Sequence, residues 1–238
     1  MSEPITAVDP TTAGPSGYPA LPVEPTGAAA EVAVLLREHA GSTAPGRTAL
    51  LRAMEELARE RGVNNVGLRE VARRAGLSHA APTHFFGSRV GMVLALAIEG
   101  LGLLAVELGT AQAKAAHLPG RERLLDDSIE FVAFAQRHPA HYDAMFRTPT
   151  PPEGDDGTLD RVRVAALGCL RDLVVDVHAT GAIGGDVETV FLQLCALSHG
   201  IASLQVDGLL HGMDGLVDAH EQDALVERII RAQVEQLP

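Results

Sequence analysis

The 238-residue chain contains no tryptophan, and its aromatic residues make up only 3% of the sequence. With so few rings, packing must come from Ala, Leu and Val, which favours helices over a β-sandwich. Cysteine is almost as scarce. Cys169 and Cys195 stand alone, which excludes a disulfide scaffold, lacks metal-ligand spacing and fits a reduced compartment. No Lys or Arg precedes Arg37 and no apolar core segment opens the chain, so a secretory signal is not expected. The most apolar run, 90–108, is interrupted by Glu99 and Glu107, which argues against a membrane span. P-loop, dinucleotide-fingerprint, HExxH, CxxC and Gly-x-Ser-x-Gly patterns are all missing, and there is no internal repeat. No catalytic residue, cofactor or metal is therefore expected.

What is present is a globular composition. Hydrophobic residues are 46% and charged residues 21%, with a net charge of −12 and a pI of about 5.2. Bulk charge of that sign does not attract a polyanion. Six prolines among small and polar residues mark 1–28 as a disordered leader. Val32, Leu35 and Leu36 allow a short helix over 28–39, and Pro45 and Gly46 break it.

From Arg47 the apolar period becomes helical throughout. Leu50, Met54 and Leu57 define a first helix, ended at Gly62. Leu68, Val71, Ala72 and Ala75 define a short second one, with Gly67 as cap and Glu70 placed for a capping box. Gly76 breaks it, and Ser78 is the expected N-cap of a third short helix reaching Phe86. Pro82 would sit in its fourth position and loosen its start. Ser88 is the expected cap of the long apolar helix that follows.

Further helices are expected around Ile129, over 141–147, around Cys169, over 188–207 and around Ile230, with a loop over 148–157. The 189–206 segment holds no formal charge, so its helix is expected to be buried nearly all round. The fold class is all-α.

Three short helices, the last two joined at a glycine, form the geometry of a helix-turn-helix. The third helix offers Ser78, His79, Thr83 and His84 to a major groove, and Ala80 and Ala81 permit close approach. Residues 46–95 hold eight arginines against four glutamates, a net +4, leaving −16 on the rest. A basic patch on an acidic chain suits phosphate contact at one end. The bland alternative is a solvated surface on which those arginines pair with nearby glutamates.

Residues 68–89, LREVARRAGLSHAAPTHFFGSR, resemble the DNA-binding segment of TetR-type transcriptional regulators. Leu68, Arg69, Glu70, Val71, Ala72, Ala75, Gly76, Leu77, Ser78, Phe86, Ser88 and Arg89 match in kind and spacing. Thr83 stands where a tyrosine is usual, and Arg89 where a lysine is. HPAHYDAMF at 138–146 and SHGIASLQVDG at 198–208 are similar to the ligand domain of the subset bearing a Trp-x-x-His-Gly-type motif, although this chain has no Trp.

The resemblance implies a helix-turn-helix DNA-binding domain over 44–104 and an effector-binding and dimerisation domain over 105–238. It implies DNA contacts from Arg47, Arg69, Ser78, His79, Ala80, Ala81, Thr83, His84 and Arg89, with Arg47 and Arg89 on phosphates. Effector contacts fall to Phe131, Tyr142, Phe146 and His199, the last also being a candidate hydrogen-bonded core histidine. The implied partners are a double-stranded operator, a small apolar or weakly polar effector and a second copy of the chain, with no membrane, in a bacterial cytoplasm. A dimer would set two recognition helices about 34–36 Å apart. Repression is the default in such a family. An activator of the same fold, or a helical binding or interaction protein without DNA affinity, are the alternatives. His138, His141 and Asp143 are too poorly spaced for metal, and the acidic loop at Glu153, Asp155 and Asp156 reads as surface.

Overall fold

Pro45 sits in the first turn of the first long helix, where a missing N–H costs nothing, and Gly62 closes it at φ 83°. In the computed structural model, which describes residues 27–39, 44–147, 157–210 and 222–238, that helix is the second of ten. The order is α1 (Gly27–His39), α2 (Pro45–Arg61), a 3₁₀ turn (Val63–Asn65), α3 (Leu68–Arg74), α4 (Ala81–Phe86), α5 (Arg89–Ala115), α6 (Gly120–Arg137), α7 (Pro139–Arg147), α8 (Thr158–Ala179), α9 (Val187–Val206) and α10 (Gln222–Glu235). Among the described residues there is no strand. The expected leader up to residue 26, the loop over 148–156 and its acidic residues lie outside the described residues.

The stripe read from the sequence is the one that buries. Leu50, Met54 and Leu57 of α2 are sealed against Val71 and Ala72 of α3 and Met92 and Leu96 of α5. Gly76 turns the chain between α3 and α4 at φ 69°, a conformation that a side chain would strain. Leu77 then plugs back onto this core. Ser88 caps α5, its Oγ accepting from the Gly91 N–H at 3.0 Å.

Two local expectations are corrected. Helix α4 begins at Ala81, not at Ser78, and its N-cap residue Ala80 makes no side-chain cap. Pro82 decides this: a helix starting at Ala81 places it in the first turn, where no backbone bond is forfeited. The Glu70 carboxylate goes not to a capping box but to the Arg61 guanidinium, which holds it below the usual carboxylate range.

A single apolar core runs from α1 and α2 through α5 to α8, so the 104/105 position falls inside one continuous helix. A second core joins α6, α8, α9 and α10. Helix α1 packs on α5 and α8, burying Val32 and Leu36, and the Ala28 N–H donates to Asp172 Oδ2 at 3.1 Å.

α5 and α9 are long and apolar enough to cross a membrane by length and composition. α5 is a core helix, with Met92, Leu96, Leu101 and Leu104 fully buried. α9 departs from its expected all-round burial. Val190, Leu194, Ser198, Ile201 and Ala202 face inward, while Leu192 on the opposite side is 62% exposed.

Candidate nucleic-acid interface and effector cavity

The α3–turn–α4 unit presents Ser78, His79, Ala80, Thr83 and His84 to solvent, with Ala81 half-buried beside them. Nothing in the described chain walls this face off. His84 is steadied edge-on against the Phe85 ring, 5.0 Å between centroids. The Arg47 guanidinium lies over the Phe86 ring at 5.2 Å, so its planar face is held against α4.

The eight arginines of this head divide into three groups. Arg59 pairs with Glu55 at 2.5 Å, Arg61 and Arg73 reach Glu70, and Arg74 bridges Glu56 and Glu60. All four glutamates are thereby used. The bland reading of the charge count holds for these four arginines. Arg47, Arg52 and Arg69 have no carboxylate partner among the described residues, and Arg52 and Arg69 are exposed. Arg52 was not singled out in the sequence, where Glu55 and Glu56 stand three and four positions on; in the structure those carboxylates go to Arg59 and Arg74 instead.

Arg89, expected on a phosphate, is engaged inside the chain. Its Nε donates to the Val66 carbonyl at 2.9 Å and its Nη2 to the Val63 carbonyl at 2.7 Å. Half-buried and spent on backbone acceptors, it pins the α2–α3 connection to the start of α5.

The second site is a cavity of about 460 Å³ between α5, α6, α7, α8 and α9. Its wall is mostly apolar, with Leu104, Leu108, Phe131, Phe146, Leu170 and Phe191 prominent. Of the four expected effector contacts, Phe131, Phe146 and His199 line it. Tyr142 does not: it is fully buried one layer back, its hydroxyl 2.9 Å from His199 Nδ1 and 3.1 Å from Ser203 Oγ. It orients His199, and burial raises its pKa. His199 is thus both the hydrogen-bonded histidine and a cavity wall. Burial, helped by Arg147, moves its pKa down, which favours a neutral ring.

Sequence reading missed the polar part of the wall: Asp127, Ser128, Arg163 and Ser198. Asp127 is 2% exposed, and its Oδ1 accepts from Gln112 Nε2 at 2.6 Å. Burial, with Asp126 and Glu130 nearby, pushes its pKa to about 7 against the amide bond from Gln112. The available signal was its face: Leu124, Ser128 and Phe131 recur at helical spacing with Asp127 alongside. Cys195 lines the cavity and Cys169 lies behind it, their thiols pushed up to about 11 and about 12 by burial. Such thiols stay neutral. His138 is bound to Glu107 at 2.9 Å and His141 sits 3.7 Å from Glu99. They are not gathered with a third ligand among the described residues.

Residues 50–96 match the family model of bacterial regulatory proteins of the tetR family, and residues 129–233 that of the tetracyclin repressor-like C-terminal domain. A search of curated proteins gives no match. Among solved structures, a protein of unknown function from Rhodococcus sp. RHA1 is similar at 28% identity and a TM-score of 0.68, over 83% of this chain and 97% of that one. A bacterial regulatory protein in the tetR family from Rhodococcus RHA1 follows at 15% identity and 0.60, over 82% and 98%. The fatty acid degradation regulator FadR of Bacillus halodurans has 13% identity and 0.62, over 81% and 96%. The exposed α4 face, the helical cavity behind it and the two family models together place the chain in the TetR family of DNA-binding transcriptional regulators.

Proposed function

We propose that the chain is a homodimeric, cytoplasmic, ligand-responsive repressor that a small molecule releases from its operator. The observation that carries this reading is one continuous helix. α5 starts at the Ser88 cap, directly after α4, and runs to the cavity, where Leu104 and Leu108 form part of the wall. Its 27 residues span about 40 Å at the α-helical rise. A ligand that displaces Leu104 therefore acts on a rigid rod whose other end carries the recognition helix. α7 supplies a second link, since Phe146 faces the cavity while the same helix packs against α2. Coupling of this kind is typically worth about 1–3 kcal/mol.

In this reading His79, Thr83 and His84 address base edges or nearby phosphates, and Arg52 and Arg69 join Arg47 as phosphate contacts. The uncovered faces of α9 and α10 meet a second copy, which sets the two heads on one side of the duplex.

The test is a gel shift on DNA from upstream of the protein's own coding sequence, repeated over a salt series. Sequence-selective retardation, relieved by a cell extract fraction of small molecules, is the expected result. No retardation of any genomic fragment at low salt overturns the reading.

A further inference from the structure

An apolar cavity that only excluded water would need no buried charge. This one contains a carboxyl group. Asp127 has 2% of its surface exposed and lines the space, yet the group bonded to it is the neutral Gln112 amide, which is shared with the Cys169 carbonyl at 3.3 Å. No arginine, lysine or histidine forms an ion pair with it among the described residues. Arg163, the one guanidinium on the wall, is spent on Asp160 at 2.8 Å and on the Met145 carbonyl. The charged groups nearest Asp127 along its own helix are Asp126 and Glu130, both of its own sign.

Two further polar atoms on the wall lack partners. Ser128 Oγ and Ser198 Oγ are buried and accept or donate no hydrogen bond. Buried charges are ordinarily paired, and buried hydroxyls ordinarily bonded. A partner carrying positive charge and N–H donors would satisfy all three groups at once.

Resting on the reading of this cavity as the effector site, we infer that its ligand is a monocation with an apolar body: a hydrophobic ammonium whose nitrogen meets Asp127, with the hydroxyls of Ser128 and Ser198 as further acceptors. Phe131, Phe146 and Leu170 surround its hydrocarbon or aromatic part. The same carboxyl disfavours an anionic head at that place, so a fatty acid is a poor occupant.

The test uses the full chain carrying Leu167→Trp. Residue 167 lines the cavity and is only half-buried, and the chain has no other tryptophan, so its emission reports what enters. Three probes of one chain length are titrated at pH 8: n-octylammonium, 1-octanol and octanoate. Octylammonium is expected to bind at least tenfold more tightly than either. Its affinity is expected to fall about tenfold between pH 8 and pH 6, because octylammonium stays charged while Asp127 takes up a proton. Of the other titratable groups around Asp127, the Cys169 and Cys195 thiols stay protonated across that range. Asp126 and Glu130 on its own helix and Arg163 on the cavity wall are its charged neighbours, and protonation of His199 would act in the same direction as that of Asp127.

Asp127→Asn, which keeps the shape and the bond from Gln112, isolates the carboxyl. It should abolish the preference for octylammonium, bring all three probes to similar affinity and flatten the Asp127 part of the pH response. If octanol or octanoate binds as tightly as octylammonium to the native carboxyl, or if Asp127→Asn changes nothing, the cationic class is overturned while the cavity remains the effector site. If none of the probes moves the Trp emission, both the cationic class and the effector reading of the cavity fall.

Discussion

The Arg89 guanidinium holds the Val66 carbonyl at 2.9 Å, across 23 residues of sequence. With the second bond to the Val63 carbonyl, it ties the loop before α3 to the root of α5. Arg89→Ala leaves both carbonyls to find water or go unpaired, at a cost of about 2 kcal/mol for charge-assisted bonds in a half-buried site. The melting temperature should fall by about 4–8 °C. DNA affinity should fall with it, but the slope of log Kobs against log salt should stay where it is. Arg69→Ala should do the reverse: an unchanged melting temperature and a slope shallower by about one phosphate. A salt titration of both variants separates the two roles. A shallower slope for Arg89→Ala would restore it to the phosphate contacts.

Gly91 sits in the first turn of α5, against the end of α4. A Cβ there would stand 2.1 Å from the Phe86 carbonyl oxygen, a distance that no relaxation of side chains relieves. Gly91→Ala should force the α4–α5 turn open, disturb the Ser88 cap and lower operator affinity more than tenfold. Gly109 lies on the same helix with nothing within 4 Å of its absent Cβ. There the same substitution should stabilise by about 0.5–1 kcal/mol, through helix propensity alone. Paired melting curves and gel shifts read both. Equal effects at the two sites would refute the steric argument.

The sequence made the scaffold legible because it is written in local signals. The stripe of Leu50, Met54 and Leu57, the turn at Gly76 and the cap at Ser88 each depend on a few neighbouring residues. What escaped depends on residues far apart. Ser78 is a good cap by type, but Pro82 four residues later shifts the helix start. Arg89 reads as a phosphate binder until residues 63 and 66 arrive beside it. The uncharged α9 pattern cannot distinguish a face turned to its own core from a face left for another chain. Asp127 and Ser128 share a helical side with Leu124 and Phe131, and only the packing of α8 and α9 over them encloses a cavity.

That ambiguity in α9 yields its own prediction. Leu192 is 62% exposed, and Ile229 on α10 is 41% exposed. Leu192 lies opposite sealed Leu194 on α9, where it also lines the cavity, and Ile229 flanks sealed Ile230 on α10. Ile229→Glu should place a charge in the face proposed for the second subunit. Gel filtration with light scattering should give a dimer for the native chain and a monomer for the variant, with little change in helix content. Operator affinity should fall steeply, since a single head forfeits the second half-site. A monomeric native chain would remove the dimer from the proposed mechanism.

Asp127 makes stability itself depend on pH. Its carboxyl titrates at about 7 in the folded chain, against an ordinary value of 3.8. Between those values the folded state retains a proton that the unfolded state has lost. Raising the pH from 4 to 7 therefore draws the equilibrium toward unfolding, and above about 7 this contribution levels off. The gap is worth up to about 4 kcal/mol. Asp127→Asn removes the charge and keeps an oxygen for Gln112, so it should raise the melting temperature at pH 8 by several degrees and leave it nearly unchanged at pH 4. A native chain whose stability does not fall relative to the asparagine variant between pH 4 and pH 8 would mean that Asp127 is ionised without penalty. The apolar wall of the cavity could not then be as dry as its lining residues require.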